Sequence, residues 1–106
     1  MAYKTLGQSN PSATTATTLY TVPSGKSTVC SSLIVCNQGS VAASYRLAVR
    51  PAGASLAAQH YLAYDTGLAG NSTDEHVIGL TLNETDVVTV YASTATMSFG
   101  LWGNEA

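Results

Sequence analysis

The sequence predicts an all-β protein, a single antiparallel β-sandwich of about seven strands with jelly-roll or immunoglobulin-like topology. From Thr17 onward, short segments rich in β-branched and aromatic residues are separated by turn residues at intervals of about 10–15 residues. No strand alternates with a convincing helix, which disfavours a parallel α/β sheet. The chain has 106 residues, of which 45% are hydrophobic, and this is enough for one core but not for two.

We divide the chain into an extended N-terminal arm, residues 1–16, and a sandwich domain, residues 17–106. The arm contains a Ser/Thr/Ala-rich stretch after Pro11 and has little to bury beyond Tyr3 and Leu6. Two interpretations remain open for it: a frayed terminus, or a strap that becomes ordered on a neighbouring molecule.

Within the domain, the second predicted strand has apolar residues on both faces, which indicates a central position. Val29 is expected to share a face with Leu33 and Val35. The third strand alternates cleanly and is predicted to be half-buried. Residues 54–58 are too short for a stable helix and predict a loop or a single turn. The last two strands can form a hairpin. The predicted strands are Thr17–Val22, Ser27–Cys36, Val41–Arg50, Gln59–Asp65, Asp74–Leu82, Val87–Ala92 and Thr96–Trp102.

The two cysteines, Cys30 and Cys36, are predicted to lie about 20 Å apart along one strand, so they cannot pair with each other. Buried thiols are expected, with a bridge to another chain as the alternative.

The surface is nearly uncharged. Only 9% of the residues are charged, and the formal net charge is −2. The four Lys and Arg residues are too few and too scattered to neutralise a phosphate backbone, so we expect no nucleic-acid partner. A surface with so little charge is poorly protected against self-association. This predicts that the surface is buried in an assembly, against copies of the same chain or against another protein.

No apolar run approaches the roughly 18–20 residues that cross a bilayer, so we expect no membrane partner. The first residues lack the basic and then apolar layout of a secretory signal. Synthesis and assembly in a cytoplasm are therefore expected.

No motif for catalysis or for a cofactor is recognisable. Pro23–Thr28 resembles the end of a phosphate-binding loop, but Tyr20 stands where the first glycine is needed, which favours a β-turn. The remaining acid–base groups have no metal-ligand spacing, and the nucleophile-elbow motif is absent. We therefore expect no metal, no cofactor and no enzymatic activity, with a carboxylate pair of Asp74 and Glu84 or Asp86 as the remaining alternative. The groups weighed as ligands are His60, Asp65, Asp74, Glu75 and His76.

Five segments resemble small structural proteins in the virions of tailed bacteriophages. In order, they are LYTVPSGKSTVCSSLIVCNQGS, YRLAVRPAG, QHYLAYD, DVVTVYAS and SFGLWG. The resemblance covers roughly residues 17–103 and is collective, because no single motif is diagnostic. It implies a β-sandwich without catalytic residues, present in many copies on a capsid or a tail.

Composition and resemblance together predict a capsid decoration or cement protein on the exterior of the virion, assembled in the cytoplasm of the bacterial host. Its partner would be the major capsid protein at capsomer junctions, where binding opposes the outward pressure of packaged DNA. A symmetric homo-oligomer is expected, a trimer first and a dimer second, because shell junctions have rotational symmetry. The alternatives are a tail, baseplate or fibre component, and a module that binds host glycans.

The glycan alternative needs an exposed aromatic platform, whereas Tyr61, Tyr64 and Trp102 are expected to be core residues.

Five residues are predicted to contact a partner. The alternative for those on the arm is that the arm is disordered, and the alternative for the two arginines is that they are simply solvated. The candidate partner-contact residues on the arm and the third strand are Tyr3, Lys4, Leu6, Arg46 and Arg50.

Overall fold

The computed structural model describes residues 2–106 and is all-β, with two antiparallel sheets of four strands each. Sheet A has the strand order β1-β8-β3-β6, and sheet B has the order β2-β7-β4-β5. Single 3-10 turns at Pro51–Gly53 and Ala58–His60 flank the loop between β4 and β5. The strands are β1 Ala2–Ser9, β2 Thr17–Thr21, β3 Thr28–Asn37, β4 Ala43–Arg50, β5 Tyr61–Leu68, β6 Ser72–Leu82, β7 Val87–Ala92 and β8 Met97–Glu105.

The core lies between the two sheets and is built from the inward residues of every strand from β2 to β8. Its largest fully buried side chain is Tyr45, and most of the others are branched aliphatic residues. Such residues bury much apolar surface at little cost in rotamer freedom on a pleated sheet. The core comprises Leu19, Tyr20, Val22, Cys30, Leu33, Val35, Tyr45, Leu47, Leu68, Leu82, Val88, Val90, Ala92, Met97, Phe99 and Leu101.

The strand count of seven is corrected to eight, because the predicted N-terminal arm supplies β1. This segment is extended, but it is hydrogen-bonded along β8, from Ala2 opposite Glu105 to Ser9 opposite Phe99. The side chain of Asn10 then donates to two carbonyl oxygens at the end of sheet A, at 3.0 and 2.6 Å. The segment is therefore an edge strand of the folded protein rather than a strap that awaits a neighbour.

Gly7 allows β1 to approach sheet B closely. A Cβ atom at this position would collide with the carbonyl oxygen of Leu19 in β2. We expect Gly7→Ala to lower the free energy of unfolding by about 1–3 kcal/mol, the usual cost of overpacking. Urea denaturation followed by circular dichroism would measure this change.

Gly79→Ala is the matched control, because a Cβ atom at Gly79 in β6 meets nothing within 4 Å. Its stability should remain within about 0.5 kcal/mol of the parent protein. Equal stabilities for the two variants would contradict the packing of β1 against β2.

The central position predicted for the second strand is confirmed, since β3 lies between β8 and β6. The predicted assignment of its residues to the two faces of the strand is correct only in part. A bulge between Cys30 and Ser32 shifts the register, so Cys30 joins Leu33 and Val35 in the core while Val29 is 47% exposed. Both cysteines are free, and burial raises the pKa of the Cys30 thiol to about 11.

The hairpin predicted for the last two strands is wrong. Although β7 and β8 are consecutive, β7 belongs to sheet B and β8 to sheet A. The connection between them therefore crosses from one sheet to the other.

Among residues 2–106, no helix has the length and apolar character needed to cross a membrane.

Candidate interaction surfaces

Within residues 2–106, no group of three or more His, Cys, Asp or Glu side chains is arranged to hold a metal ion. His60 is buried and accepts a hydrogen bond from the backbone N–H of Ala57 through Nδ1, at 3.0 Å. His60 therefore has a structural role, since it stabilises the turn before β5.

The Pro23–Thr28 segment contains the expected turn, in which the N–H of Lys26 donates to the carbonyl of Pro23 at 3.1 Å.

The carboxylates considered as a possible pair make separate contacts. Glu84 accepts the N–H of Gly25 at 2.7 Å, and Asp86 accepts the N–H of Ala52 at 2.8 Å. Asp74 instead accepts the phenol proton of Tyr45. Each carboxylate therefore stabilises a different part of the fold.

Tyr45 joins two polar side chains of β6 to the core. Its ring is fully buried, and its hydroxyl lies 2.9 Å from Asp74 Oδ2 and 2.7 Å from His76 Nε2. Because the phenol has one proton and donates it to Asp74, the imidazole must donate its Nε2 proton to the phenol oxygen. Burial, followed by the hydrogen bond to Asp74, raises the pKa of Tyr45 well above its ordinary value. The tyrosine is therefore a neutral structural link and a poor nucleophile.

The five predicted contact residues lie on two different sheets. Tyr3, Lys4 and Leu6 are in β1 of sheet A, whereas Arg46 and Arg50 are in β4 of sheet B. The set is therefore divided between the two sheets.

Three of these residues make contacts within the chain that do not involve the two surface groups described below. Leu6 packs against the core, and Lys4 forms an ion pair with Glu105 at 3.0 Å. Arg50 donates to Thr89 Oγ1 at 3.1 Å and to the carbonyl of Ala54 at 3.0 Å. The other two predicted contact residues, Tyr3 and Arg46, belong to larger groups of surface residues on sheet A and sheet B, respectively.

The outer face of sheet A is almost free of charge. Residues opposite one another in an antiparallel register share a face, so the strand pairs define rows across the sheet. Glu75 is the only charged residue in the four outward rows, while Tyr3, Val29 and Val77 are 79%, 47% and 84% exposed. We call this surface the sheet A face. Its rows are Tyr3, Asn104, Val29 and Thr81; Thr5, Trp102, Ser32 and Val77; Gln8, Gly100, Ile34 and Glu75; and Ser98, Cys36 and Thr73.

The middle of the sheet A face contains a cleft of about 410 Å³ beside Trp102. The indole ring lies directly over Gly100, where any Cβ atom would collide with it. Ile34 and Cys36 line the same cleft. In the neighbouring row, the side-chain oxygen of Asn104 is buried and has no hydrogen-bond partner among the described residues. A buried acceptor without a partner costs about 1–3 kcal/mol of folding stability.

The outer face of sheet B carries a stacked group of aromatic and charged side chains. Arg46 lies between two tyrosine rings, with its guanidinium carbon 4.2 Å from the ring centre of Tyr64 and 4.3 Å from that of Tyr91. Tyr61 meets Tyr64 edge to face, with ring centres 4.8 Å apart. Cation–π and aromatic contacts therefore link β7, β4 and β5 into one unit. We call Arg46, Tyr61, Tyr64, Asp65 and Tyr91 the tyrosine–arginine cluster.

Asp65 fixes the orientation of Arg46. The guanidinium donates from Nε to Oδ1 at 2.7 Å and from Nη2 to Oδ2 at 3.3 Å. This hydrogen bonding raises the pKa of Arg46 further above its ordinary value, so the group remains a cation. Asp65 has φ of 50°, a left-handed conformation that is uncommon outside glycine, and it lies where the pairing of β4 and β5 shifts register.

Two cavities adjoin the cluster and share Leu56 and Tyr61 as lining residues. One has a volume of about 660 Å³ and opens beside Tyr64. The other has a volume of about 220 Å³ and is lined by both Arg46 and Tyr91. The loop that carries Leu56 therefore turns an otherwise flat sheet face into a two-part groove.

The expectation that Tyr61, Tyr64 and Trp102 belong to the core is wrong. Tyr64 is 57% exposed, Tyr61 and Trp102 are partly exposed, and none of the three belongs to the core cluster. Sequence analysis also missed Tyr91, whose outward direction follows from its position opposite Arg46 in the pairing of β7 with β4. The exposed aromatic platform required by the glycan alternative is therefore present.

Comparisons of the chain with protein-family models, with curated proteins and with solved structures found no match.

Proposed function

We propose that this protein is a structural component of a tailed-bacteriophage virion, and specifically a decoration or cement protein on the outside of the capsid. Its partners are the major capsid protein and copies of itself. It binds at capsomer junctions and stabilises the assembled shell against the pressure of packaged DNA, and it transforms no substrate. The resemblance of residues 17–103 to virion structural proteins supports this proposal.

The observation that carries the proposal is the sheet A face. An almost uncharged surface that exposes Tyr3 and Val77 beside Trp102 is suited to burial against another protein. Binding sites that exist only on the assembled shell stabilise that shell by mass action.

The strand order gives further support. We assign the pairing of a β1-β8-β3-β6 sheet with a β2-β7-β4-β5 sheet to the jelly roll, an eight-stranded double-sheet architecture. Jelly rolls are common in viral capsid domains, although the architecture alone does not define a function.

We further propose a symmetric oligomer, with a trimer favoured over a dimer, because matching the symmetry of a shell junction multiplies weak contacts. Native mass spectrometry should give a closed oligomer rather than a monomer.

Copy number in purified particles tests the location. We expect the chain in hundreds of copies per virion, judged by gel staining against the major capsid protein. A few to some dozens of copies would make it a tail, baseplate or fibre component and overturn the capsid assignment. Its absence from purified particles would overturn the virion proposal altogether.

Val77→Asp tests the contact surface. The substitution places a charge on β6, at one edge of the sheet A face, where Val77 is 84% exposed, and we expect it to weaken binding to shells of the major capsid protein about tenfold. Val41→Asp is the matched control, because Val41 is 76% exposed in the loop between β3 and β4, outside the outward rows. Equal binding by both variants would exclude the sheet A face as the docking surface.

A further inference from the structure

We propose that the tyrosine–arginine cluster is a binding site for a neutral sugar unit of a glycan. This inference goes beyond the proposed function because the cluster lies on sheet B, on the side opposite the face assigned to the shell. A protein bound to a capsid through sheet A would present this cluster to the surroundings.

The aromatic rings are arranged to accept the apolar face of a sugar. A pyranose ring has one face of C–H groups, which pack on aromatic rings, and a periphery of hydroxyl groups. Tyr64 leaves 57% of its surface free, although it contacts both Arg46 and Tyr61. These contacts hold the ring in place before a ligand arrives, which reduces the entropy lost on binding.

The polar groups of the cluster match hydroxyl groups. Asp65 occupies two of the five N–H donors of Arg46, and three donors remain for a ligand. The carboxylate of Asp65 is 48% exposed and can accept hydroxyl protons. Two threonine residues, Thr14 and Thr89, also line the smaller cavity, where Thr14 Oγ1 donates to the carbonyl of Ala13 and Thr89 Oγ1 accepts from Arg50.

The charges select a neutral ligand. Among residues 2–106, Arg46 is the only charged residue that lines either cavity, and Asp65 compensates it at 2.7 Å. An anionic ligand would have to displace this carboxylate from the guanidinium or remain beside it, and either arrangement is unfavourable. The larger cavity, of about 660 Å³, is lined by Tyr61 and Tyr64 and has room for one sugar ring against the exposed tyrosine. The smaller cavity beside Arg46 adjoins it at Leu56 and Tyr61.

Titration of the ¹⁵N-labelled protein with methyl glycosides of glucose, galactose, mannose and N-acetylglucosamine tests this site. We expect at least one of these probes to shift amide signals of β4, β5 and β7 around the cluster, with a dissociation constant in the millimolar range. The methyl glycoside of glucuronic acid should bind more weakly than that of glucose. The proposal is overturned if none of the neutral probes shifts these signals, or if the uronate binds more tightly.

Two tyrosine variants separate this site from nonspecific stacking. Tyr64→Ala should weaken binding of the active glycoside about tenfold, because it removes the exposed ring. Tyr3→Ala, which removes a 79% exposed tyrosine from the opposite sheet, should leave binding unchanged. Equal losses in both variants would overturn the assignment. Val77→Asp should not affect sugar binding, so failure of the shell proposal and failure of the sugar proposal can be told apart.

Discussion

Tyr45→Ala is expected to lower the free energy of unfolding by about 3–5 kcal/mol, the range observed when a large aromatic side chain is removed from a core. The Tyr45 ring is fully buried and packs edge to face on Phe99, with ring centres 6.1 Å apart. Its removal leaves a cavity between the sheets and separates Asp74 and His76 from their shared partner. Urea denaturation monitored by circular dichroism would measure the loss.

Tyr45→Phe separates the contribution of the hydroxyl from that of the ring. The phenylalanine preserves the packing but leaves Asp74 and His76 without the bridging oxygen, at an expected cost of about 1–3 kcal/mol. Tyr3→Ala serves as the surface control and should change stability by less than about 0.5 kcal/mol. A Tyr45→Phe variant as stable as the parent protein would mean that the two polar groups of β6 are equally well satisfied without the link.

The protein is expected to lose stability in alkali through the buried thiol of Cys30, whose pKa is raised to about 11, and through two tyrosines. Burial, followed by a 2.6 Å hydrogen bond to Glu105, raises the pKa of Tyr20 to about 12, and burial also raises the pKa of Tyr45. A group with a raised pKa binds its proton more tightly in the folded state than in the unfolded state. For each tyrosine, this stabilisation is therefore complete below the ordinary tyrosine pKa of about 10, and it is lost as the pH rises from there through the folded value.

Urea denaturation at a series of alkaline pH values would show this effect as a free energy of unfolding that falls between pH 10 and about 12. Tyr20→Phe should remove part of the slope, because phenylalanine has no proton to lose. A constant free energy across this range, or an unchanged slope in the variant, would contradict the raised pKa values.

Local patterns were sufficient to predict the all-β class and most strands. Alternation of apolar and polar residues identified β4, and the run of apolar residues on both faces identified β3 as central. These predictions succeed because side chains on a strand alternate with a period of two, whatever the neighbouring strand is. Low charge and a lack of ligand-spaced motifs likewise depend only on composition and order along the chain.

Register defects limited the rest of the prediction. The bulge at Cys30–Ser32 reversed the expected direction of Val29, and the shifted pairing of β4 with β5 placed both Tyr64 and Asp65 opposite Arg46. A bulge inserts one residue on one strand only, so its position depends on the partner strand. No periodicity within a single segment contains that information.

The order of residues along the chain was thus enough to define the composition of the strands and the low charge of the surface. Three features became evident only in the folded protein: residues 2–9 pair with β8, β7 and β8 belong to different sheets, and Arg46 stacks between Tyr64 and Tyr91. The two kinds of feature differ because strand identity follows from side-chain alternation over a few residues. Pairing partners and the side chains that meet on a sheet face depend instead on contacts between residues far apart in the chain.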